Sequence, residues 1–265
     1  MSRRCKNCDR SIARKHPNAK FCGNRCKDDY HNRTNPRGYG ARLSNDFFDE
    51  GLGWDAHKGV FQKEREAMTL AAQQRIDNYH AETGYPTSLF VGGDGRIVGI
   101  WIMGNNYRVK STYYGGYPAG YLRRVRALFP DKENALHLFS GMVDTEIWPG
   151  RRVDINPDTN PDWVDDAQDL SNVPLDQFDI VLADPPYSVE DAEHYQTSMI
   201  KRNKVMKALT GVSQGTHVVW LDQVLPMYRK DQWKIMGVIG MVKSTNHRFR
   251  VVTIFERLAL EDKVE

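Results

Sequence analysis

The sequence predicts an α/β protein with an open, mostly parallel sheet, preceded by a small cysteine-rich segment. Residues 178–183 read FDIVLA, a short run rich in Ile, Val and Leu that is typical of a buried parallel strand. Similar short apolar runs occur at residues 135–138 and 217–221, with a helical stretch between 190 and 211. All four cysteines lie within residues 5–26. A chain of 265 residues has room for one good-sized domain and such an appendage.

The cysteines are spaced as Cys5-x2-Cys8 and Cys22-x3-Cys26, with thirteen residues between the two pairs. Thiolates at these spacings can close a tetrahedral zinc site. Four thiolates leave no open coordination position, so this zinc would be structural, and metal binding would supply the folding energy of a segment too short for its own core. The stretch KFCGNRCKDDYHNR also resembles a treble-clef zinc finger. We expect a four-cysteine zinc finger over residues 1–31.

The charge of the chain is unevenly distributed. Residues 1–43 contain 12 Lys and Arg against 3 Asp and Glu, whereas the remainder contains 25 against 31. A basic arm on a mildly acidic body favours contact with nucleic acid, with protein docking or a purely structural role as alternatives. No apolar run approaches the ~20 residues that span a bilayer, and the N-terminus lacks the apolar core of a signal peptide. We therefore expect a cytoplasmic protein without a membrane partner.

A linker and a mixed region follow the cysteines. Residues 32–43 are polar with Pro and Gly, which predicts a linker. Within residues 44–117 we expect a helix over 62–82 and a β-hairpin around Gly92-Gly93-Asp94-Gly95, with target recognition as the candidate role of the region. Aromatic and basic residues alternate in its last part, which suits base stacking and phosphate contact but is equally compatible with packing. The candidate nucleic-acid contacts there are Tyr107, Arg108 and Lys110.

The strand at 178–183 ends abruptly at Asp184-Pro185-Pro186-Tyr187. Proline cannot continue a central strand because it lacks the N–H donor that the ladder needs. The strand therefore delivers a carboxylate, a backbone carbonyl and an aromatic ring to the carboxyl edge of the sheet, where ligands bind in open α/β folds. The residues Asp-Pro-Pro-Tyr also resemble a motif that acts on the exocyclic nitrogen of a base, and the resemblance implies that the acceptors here localise the lone pair of that nitrogen while Tyr187 stacks on the base.

Asp-Pro-Pro-Tyr after an apolar strand resembles the catalytic motif of class I S-adenosylmethionine-dependent amino-methyltransferases, and the resemblance covers about residues 113–257. It implies a Rossmann-like methyltransferase sheet over residues 118–265, beside the small zinc finger and the intervening helix-hairpin region. It also implies that Asp184, Pro185, Pro186 and Tyr187 form the catalytic motif. In this family the target base must be flipped out of a duplex or already be single-stranded.

The resemblance extends to the cofactor site. Phe139-Ser140-Gly141 is similar to the turn that wraps the methionine part of S-adenosylmethionine. The Tyr113–Pro118 segment precedes the first strand, where the family has a second contact with the methionine part, so Tyr113 and Pro118 are candidate cofactor residues. Asp154, at the end of a second strand, is implied to bind the ribose hydroxyls, and Asp166 the adenine amino group, with Asp169 as the alternative. Asp184 itself also borders the cofactor.

The last candidate contact lies between two β runs at 233–243 and 248–255, which resemble the final hairpin of the methyltransferase sheet. If the first run is parallel to the strand before Asp184, the loop between them overhangs the same sheet edge. Asparagine can bind a base edge and arginine a phosphate or guanine, although both residues are also common at turns. The candidate nucleic-acid residues are Asn246, His247 and Arg248.

The resulting prediction is a zinc-containing enzyme that transfers a methyl group from S-adenosylmethionine to the exocyclic amino group of a base in DNA. The Asp at the first motif position favours adenine N6 over cytosine within the resembling family. The alternatives are an RNA methyltransferase acting on guanine N2 or adenine N6, and a non-catalytic nucleic-acid-binding protein with a degenerate methyltransferase domain.

Overall fold

The computed structural model describes residues 3–34, 54–85, 88–104, 116–195, 197–243 and 248–259. The chain divides into two compact units, Met1–Val60 and Phe61–Glu265. Tyr107, Arg108, Lys110, Tyr113, Asn246 and His247, all predicted site residues, lie outside the described residues. None of the helices in the described ranges combines the length and apolar character that a membrane crossing requires.

The first unit is a short loop structure followed by a helix. An isolated antiparallel bridge joins Arg4 to Ser11, and the Arg3 guanidinium donates to the Lys15 carbonyl at 2.8 Å. Helix α1 (Asn24–Thr34) starts directly after Cys22, so that Cys26 lies in its first turn. Only small apolar groups are buried here, Cys5 and Ile12 among the described residues, so the hydrophobic contribution to folding is small.

The second unit contains the sheet and its helices. Its helices are α2 (Trp54–Thr83, which begins before the unit boundary), α3 (Tyr121–Leu128), α4 (Val189–His194) and α5 (Arg202–Ala208). Its strands are β1 (Leu89–Val91), β2 (Ile97–Met103), β3 (Ala135–Leu138), β4 (Gly150–Asp154), β5 (Trp163–Val164), β6 (Ile180–Ala183), β7 (His217–Asp222), β8 (Trp233–Lys243) and β9 (Phe249–Arg257).

These strands form one mixed sheet in the order β1-β2-β8-β9-β7-β6-β3-β4-β5. The five strands from β5 to β7 are mutually parallel, β9 runs antiparallel between β7 and β8, and β8 is parallel to β2. The predicted α/β fold with a hairpin at its end is therefore confirmed. The predicted β-hairpin at β1 and β2 also forms, and it continues the same sheet.

The chain reverses its direction across the sheet beside β3. After β3 it proceeds outward through β4 and β5, and it then returns to place β6 on the other side of β3. The carboxyl ends of β3 and β6 therefore flank a topological switch point, where open α/β sheets leave a crevice for ligands.

Alternation along the strands builds a core on each face of the sheet. One core contains Leu182 of β6, Leu221 of β7 and Val252 of β9 together with apolar residues of α2 and α3. The other contains Val181, Trp220 and Phe255 with residues of α5. Burial on both faces explains why the parallel strands read as continuous apolar runs in the sequence.

Two details differ from the sequence expectation. The stretch from Glu190 to Gly211 is mostly helical, as predicted, but it is divided into separate helices because residues 197–201 are not helical between α4 and α5. The Gln168 side-chain oxygen accepts a hydrogen bond from the Lys201 backbone N–H at 2.9 Å, which pins the start of α5. The helix expected over residues 62–82 begins earlier, at Trp54.

Candidate active site

Strand register brings the predicted site residues to one edge of the sheet. Leu138 of β3 is in register with Val153 of β4 and with Ala183 of β6, and Ala183 is in register with Trp220 of β7. Because these strands are parallel, the residues that follow them line the carboxyl edge in spatial order: Asp154, Phe139, Asp184 and Leu221.

The turn after β3 is shaped by unusual backbone conformations and by Asp154. Phe139 has a φ of 55° and Gly141 a φ of 47°, so both lie in the left-handed region. The Gly141 N–H donates to Asp154 Oδ2 at 2.6 Å, and the Asn156 N–H donates to Asp154 Oδ1 at 2.9 Å. Each carboxylate oxygen keeps a further lone pair, so Asp154 can both hold the turn and accept bonds from a ligand.

Two hydroxyl groups near this edge lack hydrogen-bond partners among the described residues. The Ser140 hydroxyl is buried beside the turn, and the Tyr117 hydroxyl is buried next to the start of α3. An unpaired buried hydroxyl costs about 1–3 kcal/mol, so a ligand that pairs with one would recover that energy. A pocket of approximately 290 Å³ is lined by Ile155, Asn156, Pro157 and Asp158, which follow Asp154 in the sequence, and by Tyr195.

Asp166 and Pro118 have local structural roles in addition to their predicted contacts. Asp166 Oδ1 accepts from the Gln168 N–H at 2.9 Å, and its carbonyl accepts from the N–H of Asp169, whose side chain is exposed. Pro118 is buried, and its carbonyl accepts from the Tyr121 N–H at the start of α3. Contact of either residue with a cofactor stays a prediction.

The Asp184–Tyr187 turn places two polar groups against each other. The Tyr187 hydroxyl donates a hydrogen bond to Asp184 Oδ1. Burial raises the pKa of Asp184 to about 7, although the Tyr187 hydrogen bond and the positive charge of Arg250 oppose that increase. Pro185 and Pro186 are buried, and the Ser188 hydroxyl then caps α4 by accepting from the Asp191 N–H at 3.1 Å.

Aromatic rings line the face of the sheet below this turn. Tyr117 stacks on Tyr121 with ring centroids 5.0 Å apart, and Tyr121 contacts the edge of Trp101 at 6.4 Å. Burial and the nearby Asp184 carboxylate raise the pKa of both tyrosines well above 10, so both are neutral donors. Tyr117 belongs to the segment that the sequence predicts to contact the cofactor, and it lies close enough to Asp184 for that carboxylate to raise its pKa; contact of the segment with a cofactor stays a prediction.

Asp222, at the end of β7, is a structural carboxylate beside the site. It is fully buried, and Arg202 donates to it twice, from Nε at 2.6 Å and from a terminal nitrogen at 3.1 Å. Trp220 Nε1 and the Gln223 N–H donate to the same carboxylate. These four bonds satisfy Asp222, so its main effect on the site is electrostatic: it raises the pKa of Asp184.

Sequence reasoning missed several of these residues. Asp222 could have been recognised because it ends a strand next to the one that precedes Asp184. Arg202, Tyr121 and Arg250 had no comparable signal, because their relevance depends on contacts between distant segments. Arg248, a predicted nucleic-acid contact, is exposed just before β9. The expected parallel orientation of β8 is confirmed, so the carboxyl end of β8 lies on the same sheet edge as Asp184.

The four cysteines of the first unit converge. Their sulfur atoms all lie within 4.8 Å of one another, and those of Cys8 and Cys22 are 3.6 Å apart. Sulfur ligands about 2.3 Å from a tetrahedral zinc are about 3.8 Å apart, so the cluster can hold such an ion.

Protonation within the cluster is uneven in the absence of a metal. Burial raises the pKa of the Cys5 thiol, but hydrogen bonds from the backbone N–H groups of Asn7, Cys8 and Cys22 outweigh it and lower that pKa to about 6. Hydrogen bonds with the Cys26 and Cys8 side chains instead raise the pKa of Cys22 to about 12. A divalent cation would allow all four to be thiolates.

Comparison with known proteins gives only distant structural similarity. No protein-family model matches the chain, and no curated protein matches it. TrmN from Thermus thermophilus is 13% identical with a TM-score of 0.38 over 52% of this chain and 48% of that structure, so this chain spans about half its length. The N-methyltransferase NodS from Bradyrhizobium japonicum WM9 is 13% identical with a TM-score of 0.35, over 52% of this chain and 93% of NodS. Because these TM-scores lie below 0.5, function must be inferred from the chain's own strand order and side chains.

Proposed function

We propose that this protein is an S-adenosylmethionine-dependent methyltransferase that modifies the exocyclic amino group of a base in DNA, namely adenine N6. The observation that carries the proposal is the position of Asp184 and Tyr187 at the switch point of the sheet, beside the Phe139–Gly141 turn and Asp154. A carboxylate and a ring at that place suit a planar, amine-bearing target.

The cofactor would be held by residues around the first parallel strand. Asp154 can accept hydrogen bonds from the two ribose hydroxyls, because its carboxylate is already oriented by two backbone N–H groups. The unpaired Ser140 hydroxyl offers a contact for a polar group of the same ligand. When bound, S-adenosylmethionine supplies an electrophilic methyl group on its sulfonium.

Asp184 would activate the target amine. Its ionised carboxylate and the Pro185 carbonyl accept the two amino N–H groups, which favours localisation of the nitrogen lone pair toward the methyl donor. Since the pKa of Asp184 lies at about 7, the ionised form is half populated near neutral pH and increases above it. Tyr187 provides the ring on which the base stacks, and the buried Tyr117 hydroxyl offers a further polar contact.

The first unit would bind a structural zinc ion through Cys5, Cys8, Cys22 and Cys26 and would contact the nucleic acid. The converging sulfur atoms support the metal, and the excess of basic residues over positions 1–43 supports a polyanionic partner. Arg248, near the carboxyl edge of the sheet, would also contact the DNA. DNA binding would then involve one segment that precedes β6 in the sequence and one that follows it.

The test is methyl transfer from isotopically labelled S-adenosylmethionine to DNA and, separately, to RNA, with the modified nucleoside identified by mass spectrometry. We expect labelled N6-methyladenine from DNA. Asp184→Ala should lower the rate at least 10²–10³-fold, the range for loss of a preorganised transition-state contact, while cofactor affinity stays within twofold.

Asp176→Ala is the matched control, because Asp176 is an exposed aspartate before the opposite end of the same strand. If RNA becomes labelled and DNA does not, the substrate is RNA rather than DNA. If a base other than adenine carries the label, that base is the target. A fully active Asp184→Ala protein would refute the proposed chemistry.

A further inference from the structure

The side chain of Arg250 lies against the proposed target site. Its guanidinium carbon is 4.3 Å from the centroid of the Tyr187 ring. Arg250 belongs to β9, one residue beyond the pairing of Val251 with Asp222 at the end of β7, so it is on the carboxyl edge. By strand alternation it shares a face with Val252, which is in the same core as Leu182 of β6.

The 4.3 Å distance between the Arg250 guanidinium and the Tyr187 ring determines whether a base can bind between them. A base sandwiched between a guanidinium and a ring needs about 7 Å, because each contact takes about 3.5 Å. The guanidinium therefore occupies the face of Tyr187 in this structure, and a base could stack there only after Arg250 moves. The Tyr187 hydroxyl also occupies Asp184 Oδ1, so the ring and the acceptor are both engaged within the protein.

Arg250 also provides a positive charge near Asp184. The carboxylates of Asp222 and Asp191 act on Asp184 with the opposite effect, and Tyr117, Tyr121 and Tyr187 are neutral titratable groups near it among the residues that the structure describes. Arg202, the other nearby arginine, is paired twice with Asp222. Among the described residues, Arg250 is a cation that opposes the effects of burial and of the two carboxylates on the pKa of Asp184.

We propose that Arg250 is a positioning residue of the target site, which occupies the Tyr187 face until a planar base displaces it and which supplies the countercharge of Asp184. The assignment of the displacing ligand as a base rests on the proposed function; the contact of Arg250 with the Tyr187 ring and the hydrogen bond from Tyr187 to Asp184 do not. Two variants separate the two roles. Arg250→Ala removes both the planar group and the charge, whereas Arg250→Lys keeps the charge and removes the planar group.

The charge role is tested without any ligand. Protein labelled with ¹³C at the aspartate carboxyl carbon is titrated by NMR from pH 4 to pH 10, and Asp184→Asn identifies the Asp184 resonance. We expect Arg250→Ala to raise the titration midpoint of Asp184 by about one pH unit, the low end of the effect of an opposite charge at close range. Arg250→Lys and the exposed control Arg229→Ala should titrate as the wild type does. A wild-type midpoint in Arg250→Ala would overturn this role.

The ring-occupying role is tested with a single-stranded oligonucleotide that carries one 2-aminopurine, whose fluorescence is quenched on stacking. We expect Arg250→Ala to quench the probe at least twofold more at saturation than the wild type, because no cationic side chain then covers the Tyr187 face, and we expect this additional quenching to be lost when Tyr187→Ala is added. Equal quenching by wild type and Arg250→Ala would overturn this role. Neither measurement needs methyl transfer. A protein that methylates no nucleic acid would refute the proposed function, whereas the role of Arg250 beside Asp184 would still be decided by the titration.

Discussion

Replacing Asp184 by asparagine should make the second unit more stable at alkaline pH while removing activity. Burial raises the pKa of this carboxyl from 3.8 to about 7, so the folded protein resists its ionisation. Asparagine has nearly the same shape, and its side-chain oxygen can still accept the Tyr187 hydrogen bond. The substitution therefore removes mainly the cost of the buried charge.

The sign and the size follow from linkage. When the pKa of a carboxyl is higher in the folded than in the unfolded state, the group contributes fully to stability below its pKa in the unfolded state. It loses that contribution as the pH rises through its pKa in the folded state. Each pKa unit corresponds to about 1.4 kcal/mol, so the increase from 3.8 to about 7 costs about 4 kcal/mol above pH 8. Because Asp184 is only partly buried, we expect a gain of about 2–4 kcal/mol for Asp184→Asn at pH 8 and little difference at pH 4.

The assay is urea unfolding at pH 4, 6 and 8, followed by tryptophan fluorescence. Five of the six tryptophans report on the second unit: Trp101, Trp148, Trp163, Trp220 and Trp233. The exposed control Asp176→Asn should cause only a small change in the free energy of unfolding, and this change should be the same at all three pH values. A stability difference between Asp184→Asn and the wild type that is the same at pH 4 and pH 8, or that favours the wild type at pH 8, would refute the reasoning.

Three further predictions concern the other parts of the site. Purified protein should contain about one zinc per chain, and Cys22→Ser should lose the metal and the folded first unit while the second unit unfolds as before, as measured by metal analysis and hydrogen exchange. Asp154→Ala should weaken S-adenosylmethionine binding by about 1.5–3 kcal/mol in calorimetry, through lost charge-assisted bonds, and unchanged affinity in the folded variant would contradict the ribose role. Arg248→Ala should lower the slope of log affinity for DNA against log salt by about one, as expected when one phosphate contact is lost.

The positions of several residues at the carboxyl edge of the sheet could be predicted because these residues follow local apolar runs. The strand ending before Asp184, the turn after Leu138 and the carboxylate at Asp154 each carry their own sequence signature: an apolar run, a turn of small residues and an acidic strand end. The cysteine spacing likewise predicted convergence of the four sulfur atoms, which the structure confirms. In these cases the chemistry is determined by neighbours in sequence.

The unpredicted features depend on pairings between distant segments. Arg250 follows an ordinary turn-like sequence, and only the antiparallel position of β9 beside β7 brings it to Tyr187. The raised pKa of Asp184 depends on burial by surrounding elements and on Asp222, which no local pattern reveals. The break between α4 and α5 is fixed by the Gln168 side chain, 33 positions before Lys201.

The pairing of β2 with β8 has a consequence for synthesis of the chain. Ile97 pairs with Gly237, so β2 must wait for the ribosome to add about 140 residues, roughly 7–28 s at 5–20 residues per second, before its partner exists. Until then the apolar side of α2, with Met68, Ile76 and Tyr79, can pack on the β1–β2 hairpin and on α3 but not on β8 or β9. During those seconds the edge of β2 that later pairs with β8 has no partner strand, so its backbone N–H and C=O groups can pair with another chain.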